Sequence, residues 1–215
     1  TGLVYQESGT ADLFDADGIY IGSSNDMKLG WNLINGEWYY KYGANLLNGK
    51  AEIDGKEYCF ENGIMMKNTA STANLSEYCY GEDGIRLSGT GWRLLDGKWY
   101  YLSTGVMNIY GKTYYEGYMV TGWLPLGNDW YYLNSDGSMV TGLQTVGNNF
   151  YYFNASGKMQ TGWQGINNKW YYFDNGGYGQ KSWQMIAGNT YYFLDNYQMA
   201  TGFQEISGNT YFFST

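Results

Sequence analysis

The chain has 215 residues, a formal net charge of −8 and no histidine; aromatic residues make up 20% of it, beside 32 glycines and one proline, Pro125. The negative balance argues against binding a nucleic-acid backbone, because the few scattered Lys and Arg could not replace phosphate counterions. Without His, no Ser-His-Asp or Cys-His arrangement can form and the usual metal ligand is missing, and no apolar run is long enough for a membrane-spanning helix.

Along the chain, one pattern sharpens from divergent to regular. "ADLFDADGIYIG" near the start reads as a worn copy. Its Asp15–Gly18 stretch resembles the opening of a calcium loop but lacks the distal Glu such a loop needs. "LGWNLINGEWYY" begins at Leu29, "AEIDGKEYCFENGIMM" follows from Ala51 and "LSEYCYGEDGIRL" from Leu75. "TGWRLLDGKWYYLS" is a shortened unit, and "MNIYGKTYYEGYMV" completes the next. Thereafter the register is plain: Thr-Gly recurs at Thr121-Gly122, Thr141-Gly142, Thr161-Gly162 and Thr201-Gly202, with Lys181-Ser182 in the missing place. The organisation is therefore divergent repeats over residues 1–90 and regular repeats over 91–215.

Within a unit, runs such as Trp170-Tyr171-Tyr172-Phe173 favour strand and are too short for a helix. Pairs such as "NG" and "DG" before the run suit the positive φ of a tight hairpin turn. Segments such as "NSDG" and "NASG" after it make a second turn. Each unit of about twenty residues is thus expected to be one β-hairpin plus a connector, and roughly ten fit the chain. The predicted fold is all-β, an elongated solenoid of stacked hairpins. Leu126, Val146, Ile166, Ile186 and Ile206 keep the repeat register and are the expected spine, with Met119, Met139, Met159 and Met199 recurring likewise.

Candidate chemistry is sparse. The Asp and Glu total twenty, but Asp15, Asp17, Asp54, Asp83, Asp96, Asp136 and Asp174 sit in or beside Gly-rich turns, where Asp serves backbone geometry. This points away from an enzyme, and no metal site or cofactor is expected. Cys59 and Cys79 hold the same repeat position ("EYCF", "EYCY"), which duplication explains; a disulfide needs Cα atoms within about 7 Å. What stands out is the Trp pairs of the frame G-W-x6-W: Trp31/Trp38, Trp92/Trp99, Trp123/Trp130 and Trp163/Trp170. Two indoles of one hairpin and a phenol of the next would make a three-walled cage for a cation without hydrogen-bond donors, unless the rings simply pack on one another.

"TGWLPLGNDWYYLNSDGSMV" and its neighbours resemble the repeats of choline-binding modules, the wall-attaching parts of Gram-positive surface proteins and phage lysins. The resemblance covers nearly the whole chain and is strongest from Gly91 onward. It implies a left-handed β-solenoid in which choline or phosphocholine of teichoic acid sits between two Trp of one repeat and a Tyr of the next. Carried over, the cages are Trp123, Trp130 and Tyr152; Trp163, Trp170 and Tyr192; and Trp92, Trp99 and Tyr115. The second Tyr of each pair is chosen because it shares the Trp face, with the first as fallback. Departures interrupt the array: Leu143 and Phe150 replace one Trp pair, Thr190 and Thr210 stand at later second positions, and Glu57 and Glu77 do so earlier. After Trp31 and Trp38 the next hairpin offers Glu57, Tyr58 and Cys59, which leaves that cage incomplete. Similar repeats occur in glucan-binding domains of glucosyltransferases and in clostridial toxins, and "TGLQTVGNNFYYF" leans toward them. The alternatives are thus a glucan or host-glycan binder, or a structural adhesin stalk. Starting at Thr1 and stopping inside a unit, the chain reads as part of a longer secreted, cell-surface protein.

Overall fold

The computed structural model describes residues 2–5, 11–14, 19–71 and 78–214; the Asp15–Gly18 stretch and Glu77 lie outside the described residues. It is built of β-hairpins, and the only helical turn among the described residues is a 3-10 turn at Ser24–Asp26. The chain divides into two compact units, residues 1–122 with 134–138, and residues 123–133 with 139–215.

In the first unit, strands Gly2–Tyr5, Ala11–Phe14 and Tyr20–Ser23 form a three-stranded sheet, and six strands between Gly30 and Met65 form a second. Two-stranded hairpins follow, including Gly91–Leu95 with Lys98–Leu102. The second unit is more regular. Gly142–Val146 pairs with Asn149–Phe153, Gly162–Ile166 with Lys169–Phe173, Ser182–Ile186 with Asn189–Phe193, and Gly202–Ile206 with Asn209–Phe213.

Turn chemistry explains these hairpins. Both central residues take positive φ at Asn35-Gly36 (49° and 81°), Asn167-Asn168 (49° and 59°) and Ala187-Gly188 (50° and 82°), which matches the twist of antiparallel strands. The connector turns are held by side chains: Asn154 Oδ1 accepts from the Ser156 and Lys158 amides at 3.0 Å each. Asp174 Oδ1 accepts from those of Gly176 and Tyr178 at 2.9 Å each. These acidic and amide residues therefore complete backbone geometry, as their place beside glycine predicts.

Alternation along the strand sets two faces on each hairpin. Tyr171 and Phe173 point inward and are 6% and 0% exposed, whereas Trp170 points outward and is 51% exposed. Tyr131 with Leu133, and Tyr151 with Phe153, repeat the inward pair. The core column of the second unit is therefore the first Tyr of each pair and the residue two places on. This corrects the expected spine. Leu126, Val146, Ile166, Ile186 and Ile206 are only half-buried, and the last four close the hairpin tips opposite Asn149, Lys169, Asn189 and Asn209.

Connectors tie each hairpin to the one before it. The Met159 amide donates to the Trp130 carbonyl at 2.8 Å, while Met159 also bridges to Phe153 of its own hairpin. Gly179 donates to Phe150, and Met199 to Trp170, in the same way, each at 2.8 Å. The next turn then lies on the connector's methionine. Gly157, at φ +77°, has no room for a Cβ because Met139 fills that space, and a Cβ on Gly177 would come within 2.5 Å of Met159 Sδ. Left-handed backbone and close approach thus both require glycine here. Gly157→Ala is expected to destabilise the protein by about 2 kcal/mol or more, from φ strain plus overpacking. Urea unfolding would measure this, and a loss under about 0.5 kcal/mol would contradict the contact.

Candidate functional site

Because successive hairpins stack, the outer face of one meets the inner face of the next. Trp163 pairs across its hairpin with Tyr172 and packs on it at 5.2 Å between ring centroids. Its other neighbours are Trp170 at 6.3 Å and 84°, and from the next hairpin Tyr191 at 4.7 Å and Phe193 at 5.8 Å. The preceding complete set is the same: Trp123 lies 6.2 Å from Trp130 at 78°, 4.9 Å from Tyr151 and 5.9 Å from Phe153. Met159 packs against this cluster.

Two indoles set nearly at right angles, with a phenol and a thioether beside them, form an aromatic corner. The outer indole of each pair is partly solvent-exposed, with Trp170 half-exposed. A cation within about 6 Å of both indole faces would be attracted by each ring's quadrupole. The site needs no acceptor or ionised residue to do so.

The structure unites Trp123 with Trp130 and Trp163 with Trp170, as expected, but chooses the other tyrosine. Tyr151 and Tyr191, rather than Tyr152 and Tyr192, pack on the first Trp of the preceding hairpin. Tyr152 lies on Phe173 at 6.3 Å, and Tyr192 on Trp183 of its own hairpin at 5.0 Å. Sharing a face with the Trp of its own hairpin is what turns the second Tyr away from the preceding one. In the third expected set, Trp92 packs on Tyr101 at 5.1 Å, whereas the Tyr115 ring lies 5.8 Å from Tyr118 and is 57% exposed.

A set expected to be incomplete is assembled. Trp31 lies 6.0 Å from Trp38 at 89°, 5.0 Å from Tyr58 and 5.9 Å from Phe60. Trp31, Trp38, Tyr58, Met65 and Asp83 line a cavity of about 370 Å³. Tyr58 is a first Tyr, so Cys59 at the second position costs the site nothing. The repeat frame carried this signal, since Tyr58, Tyr151 and Tyr191 all directly follow the second-Trp position.

Interrupted positions are filled by the protein itself. Lys50 and Glu57 stand in the two Trp places of the next hairpin, and Arg86 in the methionine place, donating its amide to the Glu57 carbonyl at 2.8 Å. The Arg86 guanidinium lies 3.6 Å over the Tyr78 ring, Lys50 Nζ lies 4.3 Å over it, and Arg86 pairs with Glu57 at 3.0 Å. In the second unit Gly179 replaces the methionine beside Phe150, and Tyr197 stacks on Phe150 at 4.2 Å and 13° in the space released. Lys181 Nζ caps that Tyr197 ring at 4.4 Å.

Cys59 and Cys79 are buried and are not joined in a disulfide. Burial pushes the Cys79 thiol up to about 12, with nearby Arg93 opposing it.

Family comparison matches residues 120–159, 140–178 and 160–199 to a model described as a choline-binding repeat, and residues 90–107 and 201–215 to a cell wall binding repeat. Among solved structures, choline binding protein F from Streptococcus pneumoniae has a TM-score of 0.53 at 25% identity, covering 100% of this chain and 84% of that one. CbpF in complex with ipratropium gives 0.52 at 22% identity, over 99% and 84% of the two chains. CbpJ from Streptococcus pneumoniae gives 0.47 at 24% identity, over 99% and 91%. Comparison with curated proteins gives no match.

Two measurements check this geometry. Tyr151→Ala is expected to cost about 3 kcal/mol and Tyr152→Ala about 1 kcal/mol in urea unfolding, and the reverse order would contradict the assignment of the wall. Cys79, protonated until the pH nears about 12, is expected to stay unlabelled by Ellman's reagent at pH 8 in the folded protein and to react on unfolding.

Proposed function

Since the chain belongs to the family of choline-binding, cell-wall-binding repeats, we propose that it is a non-catalytic module that holds a secreted protein at the bacterial cell surface by caging choline of teichoic acid. The observation carrying this reading is the perpendicular indole pair with a tyrosine of the next hairpin, found at Trp31/Trp38/Tyr58, Trp123/Trp130/Tyr151 and Trp163/Trp170/Tyr191. A trimethylammonium head group offers charge without N–H donors, so it gives up no N–H hydrogen bond to water on entering the cage. Each ring supplies roughly 0.5–2 kcal/mol, which after the cost of association gives weak, millimolar to micromolar binding per site. Several weak sites along one chain convert to firm attachment when the ligand repeats along a polymer.

The exposed outer indoles make the cleanest probes, because their truncation leaves the inner column intact. Trp170→Ala is expected to lower retention on an immobilised quaternary amine, and unchanged retention would contradict the cage. Millimolar choline is expected to raise the melting temperature by ligand linkage, while dextran leaves it unchanged. A response to dextran that choline does not compete would favour a glycan ligand instead, and silence with both would leave a structural stalk.

A further inference from the structure

Methionines stand at very different depths in this chain, and one of them ties a recess wall to the turn above it. Met185 is 79% exposed, Met65 in the Trp31 set is 5% exposed, and Met159 in the Trp123 set is half-buried. Of these two wall methionines, Met159 is the one that solvent reaches. It packs against the cluster of Val140, Tyr151 and Phe153, on which Trp123 also packs. It also lies under the next turn: a Cβ on Gly177 would come within 2.5 Å of Met159 Sδ and 2.7 Å of its Cε. The main chain beside it holds the outer indole's strand. The Met159 amide donates to the Trp130 carbonyl at 2.8 Å, and the adjacent Lys158 Nζ pairs with Asp129, the residue before Trp130, at 2.6 Å. Aromatic wall, overlying turn and the strand of Trp130 thus meet at one thioether.

A thioether suits this place because it is soft, adaptable and only weakly polar. Oxygen transfer from a hydroperoxide changes that. The peroxide O–O bond breaks and an S–O bond forms with an electron pair from Sδ. The other peroxide oxygen leaves as an alcohol, or as water from hydrogen peroxide, and takes the proton of the transferred oxygen. Sulfur is oxidised, the peroxide is reduced, and the product is a polar, chiral sulfoxide. Its oxygen has to be placed against the Gly177 turn, where even a Cβ has no room, or against the aromatic wall, where a polar atom is desolvated. Either strain is relieved by shifting Met159, and with it the strand that carries Trp130. We propose that Met159 is a modification site: its oxidation by hydroperoxides opens the Trp123/Trp130/Tyr151 recess and releases the ligand, and reduction of the sulfoxide restores binding. The proposal rests on the reading of this recess as an alkylammonium site.

Trp38→Ala, Trp99→Ala and Trp170→Ala together leave Trp123/Trp130 as the one intact G-W-x6-W pair of the full chain. Choline would be titrated calorimetrically into this chain before and after hydrogen peroxide treatment, with each sulfoxide located by peptide mass mapping. Exposed Met185 is expected to oxidise first and without effect, and affinity is expected to fall about tenfold or more in step with Met159 oxidation. Methionine sulfoxide reductase is expected to return the affinity to within about twofold of its starting value. Three results overturn the proposal: Met159 oxidised with affinity unchanged, affinity lost while Met159 is still reduced, or a loss that persists after the reductase has regenerated Met159. A Met159 that stays reduced once Met185 is fully converted overturns it as well. If the wild-type chain binds choline and the untreated triple variant does not, this inference falls alone. Failure of the wild-type chain to bind choline overturns the proposed function and this inference together.

Discussion

The structure depends on one packing event, repeated: the first Trp of a hairpin sets its indole against the inner Tyr and Phe of the following hairpin. For Trp163 this means an edge contact with Tyr191 and a tilted one with Phe193, and for Trp183 an edge contact with Tyr211 and a tilted one with Phe213. Edge-to-face aromatic pairs add about 0.5–1.5 kcal/mol beyond their area. A lone hairpin could not bury a face, so each copy is stable only against its neighbour. Both the interior of the stack and the recesses between hairpins come from this contact. One indole of the pair is committed to packing, which leaves the other beside it, facing water.

The composition of four wall positions then decides what each recess does. Trp, Trp, Tyr and Met leave an aromatic corner open, as at Trp123. Lys50, Glu57, Tyr78 and Arg86 give a recess already occupied by the protein's own cations, with the guanidinium over the phenol where a ligand's charge would sit. Leu143, Phe150, Tyr171 and Gly179 give a third outcome, since Tyr197 fills the place that the missing methionine would take. The exchange is reciprocal. Where the connector residue is Met159 the overlying turn must be Gly177, and where it is Gly179 the turn carries Tyr197 at φ 68°. Interrupted repeats thus keep the stack packed while giving up the recess, so divergence in the chain is not decay of the fold.

Much of this was legible in the sequence. The repeat register, the hairpins and their turns, the Trp pairs and the structural role of Glu57 all follow from spacing and turn chemistry. The choice of tyrosine was not. Strand alternation rightly places Trp170 and Tyr172 on one face, but the third wall comes from the opposite face of the next hairpin, which no single-strand rule reveals. For the same reason the sequence makes the Trp31 set look incomplete, since Cys59 holds the second position whereas the wall is Tyr58. It also promoted Ile166 and Ile186 to a spine, although residues beside a hairpin tip cannot be buried as deeply as mid-strand Tyr171 and Phe173. No local sequence rule reveals the self-filled recesses, because Lys50, Arg86 and Tyr197 act through partners that are 28, 29 and 47 residues away in sequence.

The central claim is that the four wall residues determine which recesses take an alkylammonium ligand. Equilibrium dialysis with labelled choline tests it most directly, by counting bound ligand at saturation on the wild-type chain and on one carrying Trp38→Ala, Trp130→Ala and Trp170→Ala. The account predicts about one equivalent for each open corner, those at Trp31, Trp123 and Trp163 among them, and loss of those three equivalents in the triple variant. Saturation at one choline for every repeat, or a count unchanged by the triple substitution, would contradict it.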